Sequence, residues 1–319
     1  ACIMEWMAKK LHPTHTIWLD NIVGGGQALG TLDDGRKAFV WGGLPGENVV
    51  MQQTKKKSSY IEGIVTDVLE PSPERTAPLD PQSYLSTSPW QIMTLDTEQH
   101  YKAALIEEAF ELHDIVLPHP ITVSTDGRDY QYRNKVEFSW YSTTDPASGD
   151  DTLDLAFFRR GSKGKITLDA CALLPDPLMQ MARDIRDSLR GAGISARQLK
   201  TLLVRCDQSG NCAWQLYVQD EDFTTTIPGL AEKGQGGEII YSNPKSPASV
   251  ITKRLAQFGN IVLTDTVLGV PFRYATEGFF QINLPVYEQA LRDMQQWITA
   301  PAQLIDLYSG VGSIGLTIG

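Results

Sequence analysis

A glycine-rich turn near the end of the sequence is the segment best suited to hold a ligand. Gly310-Val-Gly312-Ser-Ile-Gly315 matches the pattern GxGxxG, whose glycines let the backbone approach a bound group while the following helix offers free amides. No lysine follows, which excludes a phosphate-binding P-loop. An acid and an aromatic residue, Asp306 and Tyr308, precede the glycines. That order suits S-adenosylmethionine (SAM), which has no pyrophosphate, better than a nicotinamide dinucleotide, whose site expects an acid about 20 residues after the glycines.

An amide side chain marks a second candidate site. In Glu277-Gly-Phe279-Phe280-Gln281-Ile-Asn283, two aromatic residues and Gln281 come directly before a predicted helix. The doubled phenylalanine is typical of a protein core, whereas Gln281 is equally compatible with packing and with contact to a ligand. We therefore treat Gln281 as a candidate ligand contact.

Two basic segments are candidate contacts for nucleic acid. Residues 132–140, which include Arg133 and Lys135, alternate basic, polar and aromatic side chains in a predicted strand. Positive side chains contact phosphates and aromatic rings stack on bases, although a solvated face is the commoner outcome for one such strand. The neighbouring strand would extend this patch with Arg159, Arg160, Lys163 and Lys165. The densest basic run, Lys55-Lys56-Lys57, lies in the N-terminal segment.

The composition limits the classes of protein that are possible. The chain has 319 residues, of which 42% are apolar and 21% charged, as in a globular protein of two or three domains. Its net charge of −10 argues against a broad nucleic-acid-binding face. No apolar run approaches the ~20 residues that cross a bilayer, so we expect a soluble, cytoplasmic protein. The cysteines form no CxxC pair and are predicted to be reduced thiols: Cys2, Cys171, Cys206 and Cys212.

The elements that must position these residues follow from hydrophobic periodicity. Short apolar runs between glycine turns over residues 16–70 predict a small β-barrel. Further strands are predicted at residues 131–141, 153–160, 199–206 and 213–219. Three helices are predicted: residues 96–113 with Leu112 on the inward face, Asp176 to Gly191, and a third from Asn283 with Ile298 inward.

The last segment predicts the start of another domain. Residues 304–308 have the composition of a short buried strand and lead directly into the glycine turn, which is the opening unit of a doubly wound α/β domain. The fold class is therefore an α+β multidomain protein. We predict an OB-like β-barrel over residues 14–72, a mixed α+β central domain over residues 73–265, and the start of a Rossmann-like domain over residues 266–319.

Several segments in a fixed order resemble the SAM-dependent RNA uracil-C5 methyltransferases, which make 5-methyluridine in ribosomal and transfer RNA. The resemblance covers about residues 16–319. The segments that carry it are Leu44-Pro-Gly-Glu47, Glu70-Pro-Ser-Pro-Glu-Arg75, Ser88-Pro-Trp-Gln91, Tyr132-Arg-Asn-Lys135, Phe279-Phe-Gln281-Ile-Asn283 and Asp306-Leu-Tyr-Ser-Gly-Val-Gly312.

This resemblance implies a role for each candidate residue. The barrel would be the family's TRAM domain, in which the run Lys55, Lys56 and Lys57 contacts RNA. Arg133 and Lys135 would lie in the central, RNA-facing domain. The SAM contacts would be Gln281, Tyr308, Gly310 and Gly312.

The family's chemistry requires groups that this sequence is not expected to contain. A cysteine thiolate adds to C6 of a flipped-out uracil and C5 accepts the methyl group of SAM. A base then removes the C5 proton, so that the thiolate leaves C6 and the enzyme is released. Both groups belong to a later part of the family's catalytic domain, beyond Gly319. We therefore expect a C-terminally truncated, inactive chain with no catalytic residue of its own, whose intact form is active.

The resemblance also bears on metal binding. Many members of the family hold a 4Fe–4S cluster through four cysteines, but the matching places here are Asp80, Ser86, Pro89 and Cys171. One thiolate cannot hold a cubane cluster, so we expect neither an iron–sulfur cluster nor another metal.

Two other functions remain open from the sequence. A non-catalytic RNA-binding protein would bind RNA in a salt-sensitive manner without SAM. A nicotinamide-dependent oxidoreductase would use the glycine turn for NAD and give the barrel no role. For the methyltransferase we expect a monomer whose partner is ribosomal or transfer RNA and not a membrane.

Overall fold

The computed structural model describes residues 12–144, 149, 151–247, 249–298, 300 and 303–319. Cys2 lies outside these residues. The described chain divides into two compact units, one formed by residues 12–123 and 159–163 and the other by residues 124–158 and 164–319. Within these ranges, no helix has the length and apolar character needed to cross a membrane.

A closed five-stranded barrel forms the first unit's core. Its strands are β1 (Thr14–Val23), β2 (Gln27–Thr31), β3 (Lys37–Trp41), β4 (Asn48–Lys56) and β5 (Tyr60–Glu70), in the order β1-β2-β3-β5-β4. Alternate side chains of each strand point inward, as period-2 patterning requires. The barrel closes tightly at Gly63, where an added Cβ would lie 2.7 Å from the Gln52 carbonyl oxygen. The predicted α+β multidomain fold with an N-terminal barrel is confirmed.

Two helices follow the barrel, α1 (Tyr84–Thr87) and α2 (Leu95–Glu111). The predicted second of these is confirmed, with Tyr101 packed against a small apolar cluster. The inward orientation predicted for Leu112 is wrong, since this side chain is 76% exposed. The helix ends one residue earlier, and the chain then turns through Asp114 at φ 56°.

A seven-stranded sheet forms the core of the second unit. Its strands are β6 (Lys135–Thr144), β7 (Asp151–Phe158), β8 (Lys165–Thr167), β9 (Leu199–Cys206), β10 (Cys212–Val218), β11 (Gly236–Tyr241) and β12 (Lys253–Gly259), in the order β12-β11-β10-β9-β6-β7-β8. Helix α3 (Asp176–Gly191) packs its apolar stripe on one face of the sheet. The bounds of α3 match the predicted helix because a proline near its start and a glycine at its end delimit an amphipathic repeat.

The last part of the second unit packs around a smaller apolar cluster. The elements that form it are the hairpin of β13 (Val262–Val267) and β14 (Val270–Ala275), then α4 (Leu284–Gln295) and α5 (Ser313–Ile318). The predicted third helix is confirmed as α4, with Leu291 fully buried. Ile298 was predicted to lie inward, but it follows the end of α4 and is partly exposed.

Two predicted strands differ from the structure. The strand predicted from Gln131 begins only at Lys135, because the Gln131 and Arg133 N–H groups donate to the carbonyls of Ala172 and Leu173 instead. The strand predicted at residues 304–308 does not form. Such a strand needs parallel neighbours, and the described residues supply none beside it. Its apolar side chains are exposed in consequence.

The prediction of reduced thiols is wrong for one pair of cysteines. Cys206 ends β9 directly opposite Cys212 at the start of β10, and the two residues form a disulfide with a Cα–Cα distance of 4.1 Å. A search for CxxC spacing misses this pair, because a hairpin brings together residues that are six apart. Cys171 is buried in the main core of the second unit.

Candidate functional site

The segment that carries Gln281 is held by side chains of the large sheet. We call residues 277–281 the Gln281 segment. The Arg205 guanidinium donates one hydrogen bond to the Gly278 carbonyl and a second, of 2.8 Å, to the Phe280 carbonyl. At the far end, Asn134 Nδ2 donates to the Gln281 carbonyl at 2.9 Å. The backbone of the segment is therefore fixed at three carbonyls.

Arg205 is fully buried in the middle of the sheet. Its guanidinium lies 4.7 Å from the ring centroid of Tyr274, and that ring stacks on Phe280 at 4.3 Å. Burial lowers the pKa of Arg205, but an arginine stays charged in a protein. The positive charge is met by two carbonyl dipoles and an aromatic face.

A network of polar groups, two of them fully buried, holds the start of the segment. Arg254 donates to Glu238 Oε1 at 2.6 Å and to Glu277 Oε1 at 2.8 Å. The Gln215 amide bridges the same two carboxylates, at 2.6 and 2.8 Å. Gln215 and Glu238 have no solvent exposure. Hydrogen bonds, chiefly to Glu238, raise the pKa of Arg254. Both carboxylates are thus charge-paired, and Glu277 cannot move without breaking two charge-assisted bonds.

The side chain of Gln281 is left available by this arrangement. It is half-buried, and no hydrogen bond to its amide group occurs within the described part of the chain. Directly after it, Asn283 caps α4 by accepting the Val286 N–H at 3.4 Å. A polar side chain held beside a helix start is suited to orient a ligand.

The glycine turn contains three residues in a left-handed backbone conformation. Tyr308, Gly310 and Gly312 have φ values of 61°, 59° and 78°, all in the left-handed region. The Tyr308 ring is fully exposed, and an added Cβ at Gly310 would meet nothing within 4 Å. Asp306 Oδ2 accepts the Gly315 N–H at 3.2 Å and so closes the turn. An open backbone beside an exposed ring fits a ligand that has an aromatic base.

The two candidate SAM segments lead into helices that contact each other. Gln281 precedes α4, and the glycine turn precedes α5. Tyr287 of α4 and Ser313 of α5 share a hydrogen bond of 2.7 Å between their hydroxyl oxygens. Val311 and Ile314 pack against the same apolar cluster as Phe280. The structure therefore brings the helices after Gln281 and after Gly312 into one packed cluster.

A cavity of about 430 Å³ lies next to the Gln281 segment. Arg128, Arg133 and Asn134 contribute polar groups to its wall, and Ile282 contributes an apolar one. The Asn134 Oδ1 atom is buried without a hydrogen-bond partner. Unsatisfied buried oxygens are uncommon and call for an explanation such as a ligand donor. The wall carries Arg133, Asp207 and Arg128, and Arg128 is paired with Asp126. The cavity adjoins the candidate cofactor contact.

The other residues predicted to contact RNA differ in whether their charges are already paired with acidic side chains. Lys55 pairs with Glu62 at 2.5 Å, whereas Lys56 and Lys57 are exposed at the end of β4. Arg133 Nε donates to the Lys135 carbonyl at 3.3 Å, and Lys135 lies 3.4 Å from a Glu137 oxygen.

The basic patch predicted to continue onto the neighbouring strand is divided between a loop, which carries Arg159, Arg160 and Lys163, and strand β8, which begins at Lys165. Strand β7 ends at Phe158. Arg160 stacks 4.2 Å from the Trp41 ring centroid and donates to the Leu85 carbonyl, and burial lowers its pKa. Lys165 donates to the Trp140 carbonyl at 2.8 Å. Both cations serve the fold.

Two of the places that correspond to the family's cluster ligands, Asp80 and Ser86, have oxygen groups, and Pro89 has no ligating side chain. The Asp80 carboxylate accepts a hydrogen bond from Gln91 at 3.0 Å, and the Ser86 hydroxyl accepts the Arg160 N–H at 3.2 Å. These residues do not fit an iron–sulfur cluster, whose ligands are thiolates. The absence of a cluster stays a prediction.

Arg205 was missed by the sequence analysis, although a signal for it exists. It is the penultimate residue of Leu-Lys-Thr-Leu-Leu-Val-Arg-Cys, an otherwise largely apolar strand. A charged residue in the middle of a sheet must find polar partners, and here it finds them in the Gln281 segment.

Comparisons with known proteins agree with the predicted resemblance. The chain is 22% identical over 94% of its length to the 23S rRNA (uracil(1939)-C(5))-methyltransferase RlmD of Chromohalobacter salexigens, of which it covers 62%. It is 24% identical over 88% of its length to an uncharacterized RNA methyltransferase of Clostridium tetani, of which it covers 65%. The chain thus spans less than two thirds of the length of these relatives. No protein-family model matches it.

The fold is shared with a solved structure. The Pyrococcus abyssi tRNA (uracil-54, C5)-methyltransferase, crystallised with S-adenosyl-L-homocysteine, superimposes with a TM-score of 0.71 at 14% sequence identity. The alignment covers 94% of this chain and 69% of that one. The predicted resemblance is therefore confirmed in sequence by the curated relatives and in fold by this structure.

Proposed function

We propose that this chain, a relative in sequence and fold of the RNA uracil-C5 methyltransferases, is the RNA-docking and cofactor-holding part of an enzyme that methylates uridine to 5-methyluridine with SAM. The observation that carries the proposal is the similarity to RNA methyltransferases over 94% of the chain. The motifs predicted to contact RNA and SAM lie in both units.

SAM would be held by Gln281, Tyr308, Gly310 and Gly312. Support comes from the available amide of Gln281, the exposed ring of Tyr308 and the open backbone at Gly310. When bound, SAM supplies an electrophilic methyl group. The Gln281 amide would donate and accept hydrogen bonds that orient the cofactor, and the Tyr308 ring would cover an apolar face of it.

The nucleophilic cysteine belongs, in this proposal, outside the present sequence. A catalytic thiolate must be accessible and activated. Cys171 is buried, and Cys206 and Cys212 share a disulfide. Cys2 does not occupy the family's place for the nucleophile. The chain by itself is therefore expected to bind its ligands without transferring a methyl group.

RNA would bind on both units. The cavity beside Arg133, of about 430 Å³, has room for part of a nucleotide, and Arg133 would pair with phosphate. Within the run Lys55–Lys57, Lys56 and Lys57 form no ion pair among the described residues and would contact phosphate. Lys55 and Lys135 would contribute less, because Glu62 and Glu137 already neutralise part of their charge. The barrel would act as a TRAM domain, residues 73–265 as the central domain and residues 266–319 as the start of the methyltransferase domain, in a cytoplasmic monomer.

Calorimetric titration tests the cofactor assignment. We expect the chain to bind S-adenosylhomocysteine in preference to NAD, and Gln281→Ala to weaken that binding about tenfold, the loss of one or two hydrogen bonds. Ile298→Ala, which removes a partly exposed side chain beyond the end of α4, is the control and should leave the affinity unchanged. Equal affinity for NAD, or no effect of Gln281→Ala, would refute the assignment.

A transfer assay tests the placement of the nucleophile. The chain is incubated with methyl-labelled SAM and uridine-containing RNA, and incorporation is measured by scintillation counting. We expect RNA binding that weakens with salt and no label in the RNA. Label in 5-methyluridine would show that one of the four cysteines present is the nucleophile.

A further inference from the structure

We propose that Arg205 is a positioning residue that sets the backbone of the Gln281 segment, and through it the direction of the Gln281 amide. This inference rests on the proposed function for the identity of the ligand. The role of Arg205 in fixing the backbone is independent of the proposed function, because it follows from the contacts of this side chain alone.

The planar fork of the guanidinium suits this role. Its two terminal nitrogens donate to the carbonyls of Gly278 and Phe280, two residues apart. One rigid group therefore fixes the orientation of two peptide planes. Phe279, between them, is 78% exposed, whereas Phe280 is buried against Tyr274. The bonds of Arg205 thus hold these neighbours on opposite sides of the segment.

The direct hydrogen-bond partners of the buried Arg205 side chain are carbonyls of the Gln281 segment. Arg205 makes no ion pair among the described residues, and its Nε atom is buried without a partner. The charge of Asp265, which accepts the Tyr274 hydroxyl, acts on Arg205 without a hydrogen bond between the two. An apolar side chain would fill this place at a lower desolvation cost. The buried charge instead fixes the backbone geometry of the Gln281 segment.

Hydrogen bonds at both ends of the Gln281 segment should confine the effect of losing Arg205 to the middle of the segment. Glu277 is bonded to Gln215 and Arg254, and the Gln281 carbonyl is bonded to Asn134. Neither set of bonds involves Arg205. Loss of its guanidinium therefore frees the middle of the segment and leaves both ends attached, which lets the amide of Gln281 turn without unfolding the sheet.

The test combines hydrogen exchange with ligand titration. The variants are Arg205→Lys, which keeps the charge but only one strong bond, and Arg205→Met, which keeps the length without donors. Arg186→Lys and Arg186→Met are the controls, since Arg186 is also buried but pairs with Asp169 and Asp187 at α3. Exchange is followed by mass spectrometry in peptides covering residues 276–283 and residues 212–218.

We expect each lost bond to speed exchange in residues 276–283 about tenfold, with residues 212–218 unchanged. Affinity for S-adenosylhomocysteine should fall in the order wild type, Arg205→Lys, Arg205→Met, while the Arg186 variants keep the wild-type affinity. If Arg205→Met does not fold, Arg205→Lys decides the question.

Two results would overturn the proposal. One is unchanged exchange in the segment of a folded Arg205 variant. The other is faster exchange with undiminished affinity for S-adenosylhomocysteine. If the wild-type chain binds no S-adenosylhomocysteine, the cofactor assignment fails, and the exchange data alone then decide whether Arg205 positions the segment.

Discussion

Removal of one buried charge should destabilise the barrel strongly. Glu47 belongs to the Leu-Pro-Gly-Glu segment, has no solvent exposure, and pairs with Arg75 of the Pro-Ser-Pro-Glu-Arg segment at 2.5 and 2.7 Å. Its two oxygens also accept the N–H groups of Leu44 and Ser72, at 2.8 and 3.1 Å. The perturbation is Glu47→Gln, which preserves shape and removes the charge.

The expected cost follows from these four bonds. Glutamine has one acceptor oxygen, and its NH₂ group would face two donors that the second carboxylate oxygen now accepts. Breaking a buried pair from one side costs about 3–5 kcal/mol. Because the Arg75 side chain retains 18% exposure, water will recover part of its solvation, and we take the lower end, about 3 kcal/mol. With a urea slope of about 2 kcal/mol/M, the unfolding midpoint of this unit falls by about 1.5 M.

The assay is unfolding in urea, with the unfolding of the barrel monitored by hydrogen exchange in peptides from its strands. Asp34→Asn, which breaks the exposed Asp34–Arg36 pair, is the control and should leave the midpoint unchanged. The double variant Glu47→Gln with Arg75→Met should lose less than the sum of the two single changes. A shift below about 0.5 kcal/mol for Glu47→Gln, the range of ordinary surface substitutions, would refute the argument that this pair joins the two segments.

Three further substitutions test other parts of the account. Ile185→Ala, in the fully buried stripe of α3, should cost about 2–5 kcal/mol of unfolding free energy, measured by urea titration, whereas Leu112→Ala should cost nothing detectable. Arg133→Ala should reduce the slope of log affinity for RNA against log salt by about one, measured by fluorescence anisotropy. Gly312→Ala, at a φ of 78°, should reduce the free energy of local unfolding around α5 by about 1–2 kcal/mol and so speed amide hydrogen exchange in that helix.

Each of these predictions has an outcome that contradicts it. Equal effects of Ile185→Ala and Leu112→Ala would mean that α3 does not pack as described. An unchanged salt slope would remove Arg133 from the phosphate contacts. Unchanged exchange in α5 after Gly312→Ala would show that the left-handed conformation is not required there.

Local patterning accounts for the parts of the fold that could be predicted. The barrel strands alternate inward and outward side chains, and α3 has an apolar stripe between a proline and a glycine, so both follow from nearby residues. The left-handed turn at Gly310 and Gly312 was predictable for the same reason, because glycine is the residue that adopts this conformation freely.

Partners distant in sequence account for the errors. The segment at residues 304–308 has the composition of a strand but no neighbouring strand to pair with in the described structure. Strand β6 begins later in the sequence than predicted, because the N–H groups of Gln131 and Arg133 donate to carbonyls near residue 172. Arg205 meets carbonyls more than 70 residues away, and no periodicity could reveal that contact.

The central claim, that this chain belongs to an enzyme that forms 5-methyluridine in RNA, is tested most directly in cells. The gene that encodes it is deleted, and ribosomal and transfer RNA are mapped for 5-methyluridine by mass spectrometry of nuclease fragments. We expect one modified position to be lost and the wild-type gene, supplied on a plasmid, to restore it. An unchanged set of 5-methyluridine positions in the deletion strain would contradict it.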